Sequence, residues 1–186
     1  MQKLIVTEFV TLDGVMEAPG GEPTHPHSGW VGDYFNDEIG AYKQQEVFDA
    51  DIQLVGRVTY ESFAGAWPTY EGEMADRMNS MPKVVVSNTL TDPEWTNTTA
   101  LAGDPVAGVR ALKEQAAGPI LVAGSATLVH TLLDNDLVDE LRLMVFPVSI
   151  GEGLRVFSGT IKKTPWTIAE SLPFPGGVRV DVLRPA

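Results

Sequence analysis

Residues Pro119 to Asp136, PILVAGSATLVHTLLDND, open with an unbroken apolar run that closes at Gly124. A short run, apolar throughout and bounded by glycine, reads as a strand buried on both faces. Behind the glycine, Leu128, Leu132 and Leu133 fall on one face at helical spacing, so a helix follows directly. Strand, glycine, helix is the half-unit of a parallel α/β sheet, and the chain repeats it on either side.

Upstream, DIQLVG (Asp51 to Gly56) is a second short buried strand, and RVTYESF starts a helix that breaks before Trp67-Pro68. KVVVSNT (Lys83 to Thr89) is a third strand, ending in small polar residues. Asp104-Pro105 suits an N-cap followed by proline at the first helical position, and Gly118 suits the stop. The segment from Asn36 to Ala50 reads as a helix with Asp37 and Glu38 in its first turn, where the helix dipole favours anions. KLIVTEFVTLDG, near the start, is a β-branched strand that stops at the turn dipeptide Asp13-Gly14. The Gly- and Pro-rich loop from Val15 to Trp30 has a length that suits function. Between Trp67-Pro68 and Met81-Pro82 the pattern is too weak to assign an element. The last third alternates instead: LVDELRLMVFPVSI is a strand, GEGLRVF a bend, and WTIAESLPFPGGVRVDVLRP two strands around a Pro-Gly turn. The expected architecture is a single α/β domain over residues 1–186. It has a mostly parallel central sheet, antiparallel C-terminal strands and helices on both faces.

The 186 residues suit one domain. With 25 Asp plus Glu against 13 Lys plus Arg, the formal charge of −12 opposes binding to nucleic acid or an anionic membrane. The absence of cysteine excludes disulfides, thiolate metal sites and thiol nucleophiles. The apolar N-terminal run is too short for a signal peptide and is broken by an acid, and no stretch of ~18 apolar residues occurs. A cytoplasmic location is expected.

In an open α/β sheet, ligands bind beyond the carboxyl ends of the strands, where helix N-termini supply free amides. Small residues and donors stand at three such ends: Gly56-Arg57-Val58-Thr59, Ser87-Asn88-Thr89 and Gly124-Ser125-Ala126-Thr127. Arg57 carries a planar cationic fork suited to phosphate oxygens. The plainer reading pairs it with a carboxylate and leaves Thr59 as a cap. Together the three ends would make one cradle for a dinucleotide, although no G-x-G-x-x-G follows the first strand.

LVGRVTYESF, PKVVVSNTL and LVAGSATLVHTLLDNDLVDELRLMVFPVSIGEGLRVF resemble the dihydrofolate reductase-like proteins related to the C-terminal reductase domain of the bifunctional riboflavin-biosynthesis deaminase-reductase. The resemblance runs from TLDGVM to the chain end. It implies a dihydrofolate reductase fold that binds NADPH and passes hydride to a small heterocyclic or ribosylamino substrate. Gly56, Arg57 and Thr59 would then meet cofactor phosphates, and Ser87 and Asn88 would lie near the adenosine half. Gly124, Ser125, Ala126, Thr127 and Leu128 would hold the pyrophosphate. On the substrate side the resemblance points to Trp30, Asp33 and Phe35, with Asp37 competing for the acid's role, and to an aromatic wall of Tyr60, Phe63 and Trp67. Asp13 is the candidate catalytic residue.

Other readings stand beside these. Asp13 suits a plain turn, and the aromatic residues suit a core. His25 and His27 flank Pro26 but lack a third ligand of clear spacing, so no metal is expected. The activity implied resembles that of 5-amino-6-(5-phosphoribosylamino)uracil reductase, whose substrate phosphate would need a further cation from Lys43, Arg77, Lys83 or Arg155. A dihydropterin reductase and a noncatalytic binding protein on the same fold are the alternatives. Leu141, Leu143 and Val145, with Val178, Val180 and Val182, make apolar rows that call for a cover, and a homodimer is the expected one.

Overall fold

Each apolar run recognised in the sequence becomes a strand of one sheet in the computed structural model, which describes residues 1–157 and 162–186. The strands are β1 (Leu4–Thr11), β2 (Ile52–Gly56), β3 (Lys83–Val86), β4 (Thr98–Leu101), β5 (Ile120–Ala123), β6 (Glu140–Phe146), β7 (Trp166–Pro173) and β8 (Arg179–Pro185). They lie in the order β4-β3-β2-β5-β1-β6-β8-β7. From β4 to β6 all neighbours are parallel, whereas β8 runs antiparallel to β6 and β7 antiparallel to β8.

The helices divide between the faces. On one face, α4 (Pro105–Gln115) and α5 (Ala126–Asp134) cover Leu4, Val6 and Val10 of β1, Leu54 of β2 and Val122 of β5. On the other, α1 (Asp37–Asp49), α2 (Arg57–Ala66) and α3 (Glu73–Ser80) supply Val47, Tyr60 and Met78 to a core containing Ile5, Val55, Val85 and Leu121. The alternation along each strand sends successive residues to opposite clusters, as the pleat requires. Asn36 caps α1 by accepting from the amides of Glu38 and Ile39, and Asp104 caps α4 through the Val106 amide. Among the described residues no helix is long and apolar enough to cross a membrane.

The structure corrects the sequence reading in three places. The unassigned stretch after Trp67-Pro68 contains α3, whose buried face is only Ala75 and Met78. The polar segment before Gly103 contains β4, an edge strand with no fully buried residue. Gly118 does not stop α4, which ends at Gln115; a Cβ there would stand 3.0 Å from the Cβ of Asp51, so the glycine serves close packing. The apolar rows of the C-terminal strands are also covered from within the chain. Val178, Val180 and Val182 pack with Trp30, Val31, Ile39 and Phe146, while Leu141 and Val145 face the opposite cluster.

One buried cation belongs to the core. Lys83 is 1% exposed and donates Nζ to the carbonyls of Met78 (2.9 Å), Asn79 (3.1 Å) and Met81 (2.8 Å), closing the end of α3. Its ammonium also lies 4.3 Å from the Trp95 ring centroid. Burial, aided by the positive charge of Arg77, pushes its pKa down from 10.5 to about 8. Between those values the unfolded chain holds a proton that the native protein has released, so stability rises with pH there. Urea unfolding from about pH 7 to pH 10 should show wild type gaining on the order of 1–3 kcal/mol relative to Lys83→Met. A difference that stays constant over that range would contradict the assignment.

Candidate functional site

The crevice follows from where the chain leaves two neighbouring strands. β1 and β5 are paired from Leu4↔Ile120 to Thr7↔Ala123, after which β1 runs on to Thr11 paired only with β6 on its other side. Beyond β5 the chain enters α5 on one face, whereas beyond β1 it returns through α1 on the other. Adjacent strands whose connections part to opposite faces leave an opening at their carboxyl ends, the usual ligand position in such sheets.

Two helix N-termini meet at this opening. Gly124 (φ 63°) and Ser125 (φ 65°) are consecutive left-handed residues, which turn the chain sharply into α5. The Ser125 side chain does not cap its own helix; its Oγ accepts from the Gly56 amide at 2.9 Å. In return Thr59 Oγ1 accepts from the Ser125 amide at 2.9 Å. Gly56 likewise offers α2 no side-chain cap. The first-turn amides of α2 and α5 thus converge without capping side chains, a donor set suited to a diphosphate.

The other flank of the opening carries a residue that strand and motif patterns did not single out. Glu8 of β1 is 3% exposed and its Oε2 accepts from the Gly124 amide at 3.0 Å, while Oε1 is buried with no partner. Burial drives its pKa well above the usual carboxylate range, against the pull of Lys43. The only sequence signal was an acid inside an apolar strand, a position that normally demands explanation.

The remaining sequence candidates divide. Arg57 lies at the head of α2, half exposed, with Nη1 2.7 Å from Glu61 Oε1, an exposed pair of small worth. Ala126, Thr127 and Leu128 form the first turn of α5. Ser87 Oγ accepts from the amides of Thr89 and Leu90, and Asn88 Oδ1 from that of Gly103, so both shape the turns beyond β3 and β4. Asp13 fastens two loops: its carboxylate accepts from Thr11 Oγ1 (2.5 Å) and the Gly151 amide (2.8 Å). Those bonds, with Thr11 the largest contributor, lower its pKa, which disfavours it as a proton donor at neutral pH.

Trp30 is buried, donating Nε1 to the Glu17 carbonyl and stacking edge-on against Phe146. Asp33 and Phe35 are exposed on the following turn. Tyr60 is a core residue, 5% exposed, whose hydroxyl accepts from the Trp95 amide, and Phe63 and Trp67 pack partly buried beside it. The helical period turns Tyr60 toward the sheet and away from the strand ends, so the expected aromatic wall is a core feature. His25 binds the Glu152 carbonyl and His130 the Arg155 carbonyl, both steadying the 151–157 bend. A cavity of about 480 Å³ between the end of α5 and the start of β7, lined by Leu133, Val138, Trp166 and Arg184, lies at the opposite end of the strands.

The tight turn gives a direct test. A Cβ at Gly124 would stand 3.2 Å from Thr59 Oγ1 and Cγ2 in a left-handed conformation, whereas one at Gly65, inside α2, meets nothing within 4 Å. Gly124→Ala should cost about 1–3 kcal/mol in urea unfolding, and Gly65→Ala should be stabilising by roughly 0.5–1 kcal/mol. Equal effects would show that the turn is not under this constraint.

Comparison with known proteins gives consistent neighbours. Residues 2–180 match the family described as the RibD C-terminal domain. The Bacillus subtilis (strain 168) protein YyaP, itself uncharacterized, is 27% identical over 187 residues, covering 95% of this chain and 92% of that one. A Shewanella sp. PV-4 protein provisionally assigned to riboflavin biosynthesis superposes with a TM-score of 0.78 at 18% identity, covering 100% and 99% of the two chains. The Thermotoga maritima diaminohydroxyphosphoribosylaminopyrimidine deaminase/5-amino-6-(5-phosphoribosylamino)uracil reductase superposes at 0.70 with 17% identity over all of this chain and 57% of that one. A pyrimidine reductase-like protein of Corynebacterium diphtheriae gives 0.65 at 11% identity, over 100% and 92%. The shared architecture is the mostly parallel, dihydrofolate reductase-like sheet with its antiparallel C-terminal strands.

Proposed function

Since this chain belongs to the RibD C-terminal domain family, we propose that it is a cytoplasmic NADPH-dependent reductase of a pyrimidine-type heterocycle. The observation that carries the reading is the meeting of two uncapped helix N-termini at the end of β5. Bound there, NADPH supplies the hydride, and the protein's part is position and exclusion of water.

The chain's own groups divide that work. The first-turn amides of Ala126 to Leu128 and of Arg57 to Thr59, which meet no capping side chain, would hold the diphosphate. Arg57 leaves its weak pairing with Glu61 for a phosphate, a charge-assisted bond stronger than the exposed ion pair it gives up. Asp13, fixed by Thr11 and Gly151, keeps the mouth of the crevice in shape.

The cations bear on the substrate. Lys43 is held by Glu46 and Thr7, Arg77 by the Val47 and Ala50 carbonyls, and Lys83 lies in the core. Arg155 alone of the four sequence candidates lies at the mouth, donating to the Gly151 carbonyl beside Gly14. A phosphorylated pyrimidine would therefore depend on Arg155, and a dihydropterin would not.

Following NADPH oxidation with the riboflavin-pathway pyrimidine and with dihydrofolate, and with NADH as control, tests the activity. Turnover of the pyrimidine that falls in Arg155→Ala fits a phosphorylated substrate. Binding of neither dinucleotide would contradict the reductase reading. In calorimetric titration, Arg57→Ala should weaken NADPH by ~1.5–3 kcal/mol. Unchanged NADPH affinity would remove Arg57 from the cofactor phosphates.

A further inference from the structure

Folds rarely leave a buried polar atom without a partner, so each case calls for a reason. Among the described residues such atoms are Glu8 Oε1, Ser28 Oγ, Gln53 Oε1 and Thr98 Oγ1. Ser28 lies in the first loop, and Gln53 and Thr98 lie near the starts of β2 and β4, away from the crevice. Glu8 is different. It is the first residue of β1 beyond the last β5 pair, and its carboxyl stands beside the Gly124 turn.

Its surroundings explain what the carboxyl can do. Val6 and Val10 flank it on the same face of β1, and its β6 partner is Leu143. The β5–α5 turn contributes the Gly124 amide, bound to Oε2 at 3.0 Å. From α1 two charges act on it, Lys43 favouring the carboxylate and Glu46 opposing it. Desolvation outweighs them and favours the protonated form.

Building on the reading that the crevice takes NADPH, we propose that Glu8 is a ligand-binding residue. With Oε2 fixed by the Gly124 amide, Oε1 would be free to hydrogen-bond the carboxamide of a bound nicotinamide. A neutral carboxyl suits both tasks, since one oxygen accepts from the turn while the other donates its O–H to the amide carbonyl. No covalent bond forms or breaks. An ionised Glu8 would lose the donor and set a negative charge beside a turn that receives phosphates. Cofactor affinity is then tied to the proton on Glu8.

The test compares wild type with Glu8→Gln, which keeps the shape and a donor without titrating, and Glu8→Leu, which keeps only bulk. Thermal unfolding establishes that each is folded. NADPH binding is then measured by cofactor fluorescence between about pH 6 and 9, and infrared difference spectra follow the C=O stretch of a protonated carboxyl. Wild-type affinity should fall as pH rises through the Glu8 titration, and Glu8→Gln should bind within about threefold of wild type at low pH with a flat profile over the same range. Glu8→Leu should bind about tenfold more weakly throughout. The carboxyl band should be absent from Glu8→Gln and should shift in wild type when NADPH is added. Wild-type binding of NADPH with an unshifted band, or Glu8→Leu binding as tightly as wild type, overturns the role of Glu8 and leaves the reductase reading intact. Absence of NADPH binding by wild type overturns both.

Discussion

A crossed pair of hydrogen bonds between the β2 and β5 ends holds the site together. Gly56 donates its amide to Ser125 Oγ, and Ser125 donates its amide to Thr59 Oγ1. Ser125, the N-cap residue of α5, thereby turns its side chain to the neighbouring junction, and Gly56, the N-cap residue of α2, has none to offer. Both helices are left with open first turns, and the two turns are locked in register. The left-handed pair Gly124 and Ser125 is what makes the exchange possible, because an ordinary turn would aim the Ser125 amide elsewhere. The hydrogen bond from the Gly124 amide to Glu8 extends the same lattice across to β1.

Much of this was legible in the sequence. The junctions at Gly56 and Gly124 stood out because an apolar run ended in glycine with hydroxyl residues close behind, and that pattern depends on local geometry alone. The sheet and its antiparallel end were legible for the same reason. Short elements were not: α3 buries only Ala75 and Met78, and β4 is an edge strand of Thr98, Thr99, Ala100 and Leu101, too polar to show a period. Roles set by long-range packing were also hidden. Tyr60 lies near the site in sequence but one helical turn carries it into the core, where it meets Trp95. Glu8 carries no motif, and its importance emerges only when β5 ends beside it.

The distribution of charge bears on the proposed site. The chain carries −12 overall, yet several of its cations are turned inward. Lys113 binds the Leu137 carbonyl and Asp139, Arg142 joins Glu46 to Glu140, and Lys83 closes α3. Little positive charge remains to draw an anionic ligand from a distance. At the proposed site, anion recognition would rest chiefly on oriented amides, whose strength comes from geometry and exclusion of water, with Arg57 beside them. Such a site would favour a ligand with a compact, doubly charged centre and would discriminate by shape.

Amide hydrogen exchange with and without NADPH reads that claim residue by residue. The account predicts slower exchange at the open first-turn amides of Ala126 to Leu128 and Arg57 to Thr59 when NADPH is present, with little change around Trp166 and Arg184 at the far end of the strands. Protection confined to that distant cavity, or none at the two helix starts while NADPH is bound, would contradict it.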